Sequence, residues 1–324
     1  MIPTIDPRAE REHERRNFIH TVLLLSGIGA VIGLASWLIW GAPGVPLTVL
    51  IVGLLLLLGP RVSPEAVMRM YRAVPVDPRT GGALIQVVDE LAGRAGLAKA
   101  PRLYVVPSLT INAFAAGEPQ RSTIAVTEGL LRRLSLREIA GVLAHEISHI
   151  RNKDLAVLGL ADTMSRLAQA LPFVAIFLLA LNLLGLLTGD QAVPWSAVAL
   201  LYLAPTITSL LQLALSRTRE YTADHGAAIL TGDPRGLASA LNRLERHTGH
   251  FWEDLVLPVP GRRIPQPSLL RSHPSTQERI TRLLDLAADP TLPPLVIAEA
   301  PMVTMVGVGP IAMRPRHRFP GVWY

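Results

Sequence analysis

Two long blocks of the chain almost lack charge, and they restrict the possible folds more than any other feature. Residues 17–60 contain no Lys, Arg, Asp or Glu, and residues 167–216 contain one such residue, Asp190. About 20 apolar residues cross a bilayer, so each block is long enough for two crossings and a turn. Gly and Pro at 41–44 predict the first turn, and residues 188–190 predict the second. We therefore expect four transmembrane helices in two hairpins.

The second block is less regular than the first, because Pro172, Asn182, Pro194 and Pro205 interrupt it. A buried helical pair or a re-entrant hairpin is therefore an alternative to two full crossings there. The composition agrees with a membrane protein, since only 17% of the residues are charged against about 25% in soluble domains. The chain has no cysteine, which excludes a disulfide scaffold.

The distribution of positive charge predicts the orientation in the membrane. The 31 Lys and Arg residues divide into four in residues 1–16, 14 in residues 61–166 and 13 in residues 217–324. The positive-inside rule then places all three segments in the cytoplasm. We expect no nucleic-acid partner, because the net charge of +6 forms no compact basic stripe with interleaved aromatic residues.

Between the two blocks, the sequence predicts a small α+β unit. Ser63 is a candidate N-cap, and apolar spacing predicts a further helix over residues 81–95. Strands are predicted at residues 102–106, 111–117 and 122–126. Ser135 and Glu138 form a capping box, which opens a strongly periodic helix.

That periodic helix carries the sequence His145-Glu146-Ile147-Ser148-His149. Two histidines at positions i and i+4 lie on one face of a helix and can share a metal ion. Zinc lowers the pKa of a coordinated water to about 7, so a single carboxylate is enough as the general base. The motif therefore predicts a hydrolytic zinc site with His145 and His149 as ligands and Glu146 as the base.

A catalytic zinc needs a third protein ligand, and the sequence offers Glu220 and Asp224. These residues are spaced i, i+4 on a predicted helix, so one could bind the metal while the other orients a ligand histidine. The alternative is a solvated helix face on which Arg219 and Glu220 form a charge pair.

Four segments together resemble one known family, the HtpX-type heat-shock membrane metallopeptidases, which are relatives of the type I CAAX prenyl protease. The matching segments are residues 111–115, 145–154, 216–224 and 272–280, and the resemblance covers about residues 15–287. It implies an α+β membrane protein whose catalytic domain is predominantly helical and zincin-like (gluzincin), with a small β-sheet. It also implies one zinc ion per chain, with Glu220 as the third ligand and Asp224 beside the ligands.

The charge-poor blocks and the resemblance together divide the chain into six segments. These are a cytoplasmic arm (1–16), a transmembrane hairpin (17–60), a first catalytic part (61–166), a second hydrophobic hairpin (167–216), a second catalytic part (217–287) and an extension without a family counterpart (288–324).

The resemblance also implies roles for four residues outside the ligand set. Asn112, Ala113 and Phe114 lie on a predicted strand that could pair with an extended substrate by strand addition, although it could instead be an interior strand. His273 could stabilise the oxyanion or cap a helix.

The function predicted from these features is a zinc endopeptidase of the cytoplasmic (inner) membrane, with its catalytic domain in the cytoplasm. The resemblance implies a stress-response role in the quality control of damaged or misassembled membrane proteins. Two alternatives stay open: a CAAX-type or other processing protease, and a non-enzymatic membrane scaffold. An intact Glu146 disfavours the scaffold, because a structural metal site needs no base.

Overall fold

A computed structural model of the chain describes residues 7–58, 63–189, 193–248, 276–286 and 295. The described residues are mostly helical and include one small sheet. In chain order the elements are α1 (Pro7–Trp40), α2 (Gly44–Leu58), α3 (Pro64–Met70), β1 (Val74–Pro75), α4 (Pro78–Arg94), β2 (Arg102–Val106), β3 (Ala113–Glu118), β4 (Arg121–Thr127), α5 (Glu128–Arg133), α6 (Leu136–Arg151), α7 (Asp154–Ala168), α8 (Leu171–Thr188), α9 (Trp195–Thr231), α10 (Pro234–Thr248) and α11 (Thr276–Leu286).

The chain separates into two compact units. Of the described residues, those within 8–61 and 156–218 belong to the apolar unit, and those within 62–155 and from Arg219 onward belong to the polar unit. The long helix α9 contributes residues to both units, because the division falls between Thr218 and Arg219.

Three helical segments of the described chain are long and apolar enough to cross a membrane, namely Phe18–Trp40, Asp154–Leu187 and Trp195–Thr231. The apolar stretch Gly44–Leu54 of α2 is shorter. Large apolar side chains such as Leu187 are exposed, as expected for a surface solvated by lipid. The structure therefore has three candidate membrane helices, and the fourth crossing stays a prediction.

The predicted turn at residues 41–44 is present, and α8 ends with the C-cap Gly189, inside the second predicted turn. Gly41 and Gly189 have φ angles of +68° and +85°, and glycine reaches this left-handed region at little cost. Within the second hairpin the polar side chain of Asn182 is fully buried. Its amide nitrogen donates to the carbonyl of Val193 over 2.8 Å, and its oxygen accepts from the Val193 N–H over 3.0 Å. This interruption of the apolar block is therefore satisfied by hydrogen bonds.

The polar unit is built on a sheet with the strand order β1-β2-β4-β3. β2 and β4 are parallel, whereas β1 with β2 and β3 with β4 are antiparallel. β3 is at an edge of this sheet as far as the described strands show. Helix α3 covers one face, where Met68 packs with Phe114 and Ala125. Helix α6 belongs to the main core, in which Leu143 and Ile147 cluster with Ile124.

The predicted capping box at the start of α6 is confirmed. The Ser135 side chain accepts from the backbone N–H of Glu138, and the Glu138 carboxylate accepts from the backbone N–H of Ser135 over 2.8 Å. Gly141 lets α10 approach closely, because a Cβ at this position would lie 2.9 Å from the backbone nitrogen of Leu237. Helix α6, which carries His145 and His149, is thereby fixed at its start by the capping box and along one side by α10.

The strand predicted at residues 111–117 begins later than expected, and the placement of Asn112 within a strand was wrong. β3 starts at Ala113, and Asn112 immediately precedes it. The N–H of Asn112 donates to the hydroxyl of Thr127 over 2.9 Å. That hydroxyl also caps α5 by accepting from the Leu130 N–H. The regular ladder ends here because β4 turns into α5 at Thr127.

Candidate metal centre

Three side chains from two helices converge in the polar unit. His145 and His149 project from successive turns of α6, and Glu220 projects from α9. The Nε2 atoms of the two histidines are 3.1 Å apart. Oε2 of Glu220 is 3.4 Å from Nε2 of His145, and Oε1 is 3.6 Å from Nε2 of His149. All three side chains are buried, and their ligand atoms lie within 4.8 Å of one another.

The other ring nitrogen of each histidine lies against a buried aspartate. Nδ1 of His149 is hydrogen-bonded to Oδ2 of Asp154 over 2.8 Å, and Nδ1 of His145 is 3.0 Å from Oδ1 of Asp224. A carboxylate at Nδ1 favours the tautomer that carries its proton there. The two Nε2 lone pairs then face each other and the Glu220 carboxylate, which is the arrangement that a cation would hold together.

Each of these aspartates is in turn paired with a buried arginine. Arg219 donates from Nη1 to Oδ1 of Asp154 over 2.8 Å. Arg279, on α11, donates from Nε and Nη2 to the two oxygens of Asp224, each over 2.7 Å. Its Nη1 is also 3.2 Å from Oε2 of Glu220. Each ligand histidine therefore belongs to a His–Asp–Arg relay.

The charges around the three ligands fit a divalent metal. Four buried carboxylates (Glu146, Asp154, Glu220 and Asp224) face two buried guanidiniums (Arg219 and Arg279), so two negative charges remain when the histidines are neutral. Uncompensated charge is costly in a buried site, and one divalent cation neutralises it. Two imidazole nitrogens and one carboxylate also form a ligand set used for catalytic zinc.

The pKa shifts of the two histidines have the same electrostatic origin. Burial alone would lower the pKa of His149, but Asp154 and Glu220 outweigh burial and raise it well above its usual value. Burial likewise opposes the charged form of His145, and Asp224 and Glu220 nevertheless raise its pKa. The pocket therefore stabilises positive charge at the atoms expected to bind the metal.

Glu146 lies on α6 between the two ligand histidines and is buried. Burial raises its pKa, whereas His145 and His149 and a hydrogen bond from the backbone of Ala115 act in the opposite direction. Its Oε1 atom has no hydrogen-bond partner among the described residues. Glu146 is thus placed beside strand β3, with one carboxylate oxygen available to a substrate or to water.

The structure brings five of the sequence-predicted site residues together and separates others. His145, Glu146, His149, Glu220 and Asp224 form the centre described above. Ala113 and Phe114 lie on β3, but the Phe114 ring packs against Tyr71, with ring centroids 4.9 Å apart. The Phe114 side chain is therefore buried against Tyr71. His273 lies outside the described residues.

Sequence reasoning assigned no role to Asp154, Arg219 and Arg279. Arg219 was considered as the partner of its neighbour Glu220, whereas it pairs with Asp154, 65 residues earlier in the chain. Asp154 and Arg279 both fall inside segments that carry the family resemblance. Their location in these segments could have marked Asp154 and Arg279 as candidate site residues. It does not show which carboxylate each arginine binds.

Gly226 allows α9 to lie close to α6 at the centre. A Cβ at this position would be 2.5 Å from Oγ and 3.1 Å from Cβ of Ser148, the residue that precedes ligand His149. We expect Gly226→Ala to be destabilising, because overpacking a core costs about 1–3 kcal/mol and a helix gains at most about 1 kcal/mol from replacing Gly by Ala. Thermal unfolding of the full chain in detergent measures the effect.

Two further variants test whether the contact with Ser148 causes the loss of stability in Gly226→Ala. Gly93→Ala is the matched control, because its added Cβ would meet nothing within 4 Å and should be neutral or stabilising. In the Ser148→Ala/Gly226→Ala double variant the hydroxyl that makes the closest contact is gone, so part of the lost stability should recover, although Cβ of residue 148 stays 3.1 Å away. If the double variant is as unstable as Gly226→Ala alone, the contact with Ser148 is not the cause.

Comparisons with known proteins agree with the metal site that the geometry indicates. The model of peptidase family M48 matches residues 78–287. A "Protease HtpX homolog" from Ralstonia nicotianae is 35% identical over 290 residues, which cover 86% of this chain and 99% of the relative. The homologue from Burkholderia mallei is 34% identical over 284 residues, covering 84% of this chain and 97% of the relative.

A solved structure is also similar. The crystal structure of S. mikatae Ste24p aligns with a TM-score of 0.49 at 20% sequence identity, over 84% of this chain and 66% of that longer one. The match to the family model ends at residue 287, so residues 288–324 lie beyond it.

Proposed function

This chain belongs to peptidase family M48, and from that membership we propose that it hydrolyses peptide bonds at the centre formed by His145, His149 and Glu220, with Glu146 as the general base. The resemblance predicted from the sequence is thereby confirmed, and the protein is a membrane metalloendopeptidase. The observation that supports these roles best is the convergence of three buried ligand side chains next to a buried glutamate.

We propose zinc as the metal, one ion per chain, held by the two Nε2 atoms and the Glu220 carboxylate. A zinc ion supplies Lewis acidity, which lowers the pKa of water and polarises the scissile carbonyl. Asp154 and Asp224 hold the ligand imidazoles in the tautomer that leaves Nε2 free, and Arg279 holds both Asp224 and Glu220.

Glu146 then carries the proton transfers. Its raised pKa moves it closer to neutral pH, where a general base works best. It accepts a proton from the attacking water and delivers it to the leaving amine. His273 is proposed to donate a hydrogen bond to the oxyanion that develops on the substrate carbonyl.

Strand β3 is proposed as the substrate-binding edge. It pairs with β4 on one side, and Ala115 on β3 contacts Glu146 through its backbone. An extended substrate added along Ala113 and Phe114 would therefore run past the catalytic glutamate. Main-chain hydrogen bonds of this kind tolerate many sequences, which suits a protease acting on unfolded segments.

In the membrane we propose four crossings in two hairpins, within residues 17–60 and 167–216. The N-terminal arm (1–16) and both catalytic parts (61–166 and 217–287) then face the cytoplasm at the inner membrane. The catalytic domain is proposed to be zincin-like. Substrates of a protease so placed are proposed to be damaged or misassembled membrane proteins, in a quality-control role during stress.

The function is tested with the purified full chain in detergent and casein as an unfolded substrate. We expect cleavage to stop when a chelator such as 1,10-phenanthroline removes the metal. Cleavage should return when the chelator is dialysed away and zinc is added in an amount equimolar to the protein. Metal analysis of the untreated protein should give one zinc ion per chain. Cleavage that persists in a protein freed of metal would contradict the proposal.

A panel of substrates separates the open alternatives. A prenylated peptide with a C-terminal Cys-a-a-X motif is compared with casein and with an unfolded membrane protein. A quality-control protease should cleave both unfolded proteins at several sites. Cleavage of the prenylated peptide alone would instead support a processing protease, and one bound zinc without any cleavage would support a scaffold.

A further inference from the structure

The relay at His149 ends in an ion pair between Asp154 and Arg219, and the proposed chemistry gives Arg219 no role. Asp154 is 1% exposed and Arg219 is 6% exposed. Arg219 donates to Oδ1 of Asp154 over 2.8 Å, and Oδ2 of the same carboxylate is hydrogen-bonded to Nδ1 of His149, also over 2.8 Å. One carboxylate therefore connects Arg219 to a metal ligand.

The two residues of this pair lie where the chain leaves the polar unit and returns to it. The first stretch of the polar unit ends at Leu155, one residue after Asp154, and the second begins at Arg219. The ion pair thus joins the two ends of a long insertion, residues 156–218, in the sequence of the polar unit. Arg219 also directly precedes Glu220 on α9, so fixing its side chain fixes the turn of helix that carries the third ligand.

We propose that Asp154 and Arg219 are positioning residues that hold His149 and the Glu220-bearing turn of α9 in one geometry for the metal. This inference rests on the proposed function, because it concerns the affinity of the centre for its metal. The relay at His145 works differently, since its Arg279 contacts the ligand Glu220 directly. Arg219 acts on His149 through Asp154 and on Glu220 through the backbone.

A purely structural role explains this pair less well. A buried ion pair can often be replaced by neutral groups without loss of stability, because desolvation cancels much of the attraction between the charges. Hydrogen bonds that orient a metal-ligating histidine, by contrast, commonly change metal affinity 10–100-fold. The proposal therefore predicts that metal affinity falls even in variants that fold normally.

The test measures zinc affinity of the full chain in detergent by competition with a chromophoric chelator. Asp154→Asn should bind zinc about 10–100-fold more weakly, because the amide cannot accept from both His149 and Arg219. Arg219→Gln should weaken binding similarly, and Arg219→Lys should recover part of the loss. The visible spectrum of the Co²⁺-loaded protein should shift in both weak variants, because it reports the geometry of the ligands.

The matched control is Asp162→Asn, which removes a carboxylate from an exposed pair with Arg166 and should leave zinc affinity unchanged. If a single variant does not fold, the Asp154→Asn/Arg219→Gln double variant removes both charges at once and leaves neither uncompensated. It too should bind zinc at least about 10-fold more weakly.

The outcomes separate this proposal from the proposed function. If the wild type binds one zinc ion but the folded variants match its affinity within about twofold and keep its Co²⁺ spectrum, the positioning role is overturned while the peptidase function stands. If the wild type binds no zinc, the proposed function fails first.

Discussion

Replacement of Glu146 by Gln is expected to lower kcat about 10²–10⁴-fold, the usual contribution of a positioned general base, without loss of bound zinc. Glutamine has the same shape but cannot accept the proton from the attacking water. Because Glu146 is not among the three convergent ligand residues, the metal content should stay at one per chain. Casein cleavage and metal analysis of the same preparation measure both quantities.

The same variant should be at least as stable as the wild type when the metal is removed. Glu146 is buried, and burial raises its pKa because the charged carboxylate is desolvated there. A neutral glutamine removes that penalty, so thermal unfolding of the metal-free variant should occur at an equal or higher temperature. Lower activity with higher stability is the pattern of a residue kept for catalysis.

Glu90→Gln is the control for this substitution. Glu90 lies on α4, more than half exposed, in an i,i+4 pair with Arg94, and exposed pairs contribute about 1 kcal/mol or less. Its activity should match that of the wild type. If Glu146→Gln cleaves as fast as this control, Glu146 is not the base; if it loses its zinc, Glu146 is a ligand.

Local sequence signals were enough to predict most of the elements near the centre. The cap at Ser63, strand β2 and the capping box of α6 are all set by neighbours within a few residues, and the structure has them as predicted. The two-residue strand β1 was missed because Val74 and Pro75 have no periodic pattern of their own. They pair with Val105 and Tyr104 only through the tertiary fold.

The residues of the metal centre also fall into two groups, those that local spacing predicts and those that only the tertiary fold brings together. His145, Glu146 and His149 are readable from one helical turn, because i, i+4 spacing fixes their common face. Glu220 required the family resemblance, since the sequence alone also allowed a solvated pair with Arg219. The arginine partners could not be read from the sequence, because Arg279 and Asp224 are 55 residues apart and many acidic residues could have filled that place.

Glu220→Gln is expected to have the largest effect on the metal. The variant loses the one anionic ligand of the three and leaves Nη1 of Arg279 without the carboxylate that lies 3.2 Å away in the wild type. We expect no stoichiometric zinc at micromolar concentrations and no measurable cleavage of casein. Asp224→Asn should be milder, with zinc affinity about 10–100-fold weaker, because that residue is not a ligand and acts on the metal through His145 and Arg279.

Thermal unfolding with and without zinc gives an independent measure of the same loss. A metal that binds only the folded state at 100 times its Kd stabilises that state by about 2.7 kcal/mol, so the wild type should show a clear rise in Tm on zinc addition. Glu220→Gln should show none, and its metal-free Tm should lie below that of the metal-free wild type, because Arg279 loses a buried carboxylate partner and a buried charge left without its partner destabilises the folded state. A Glu220→Gln variant that keeps the full zinc-dependent rise would show that the third ligand lies elsewhere. A cooperative unfolding transition of the metal-free variant would show that the absence of a zinc-dependent rise reflects lost metal binding and not a protein that is already unfolded.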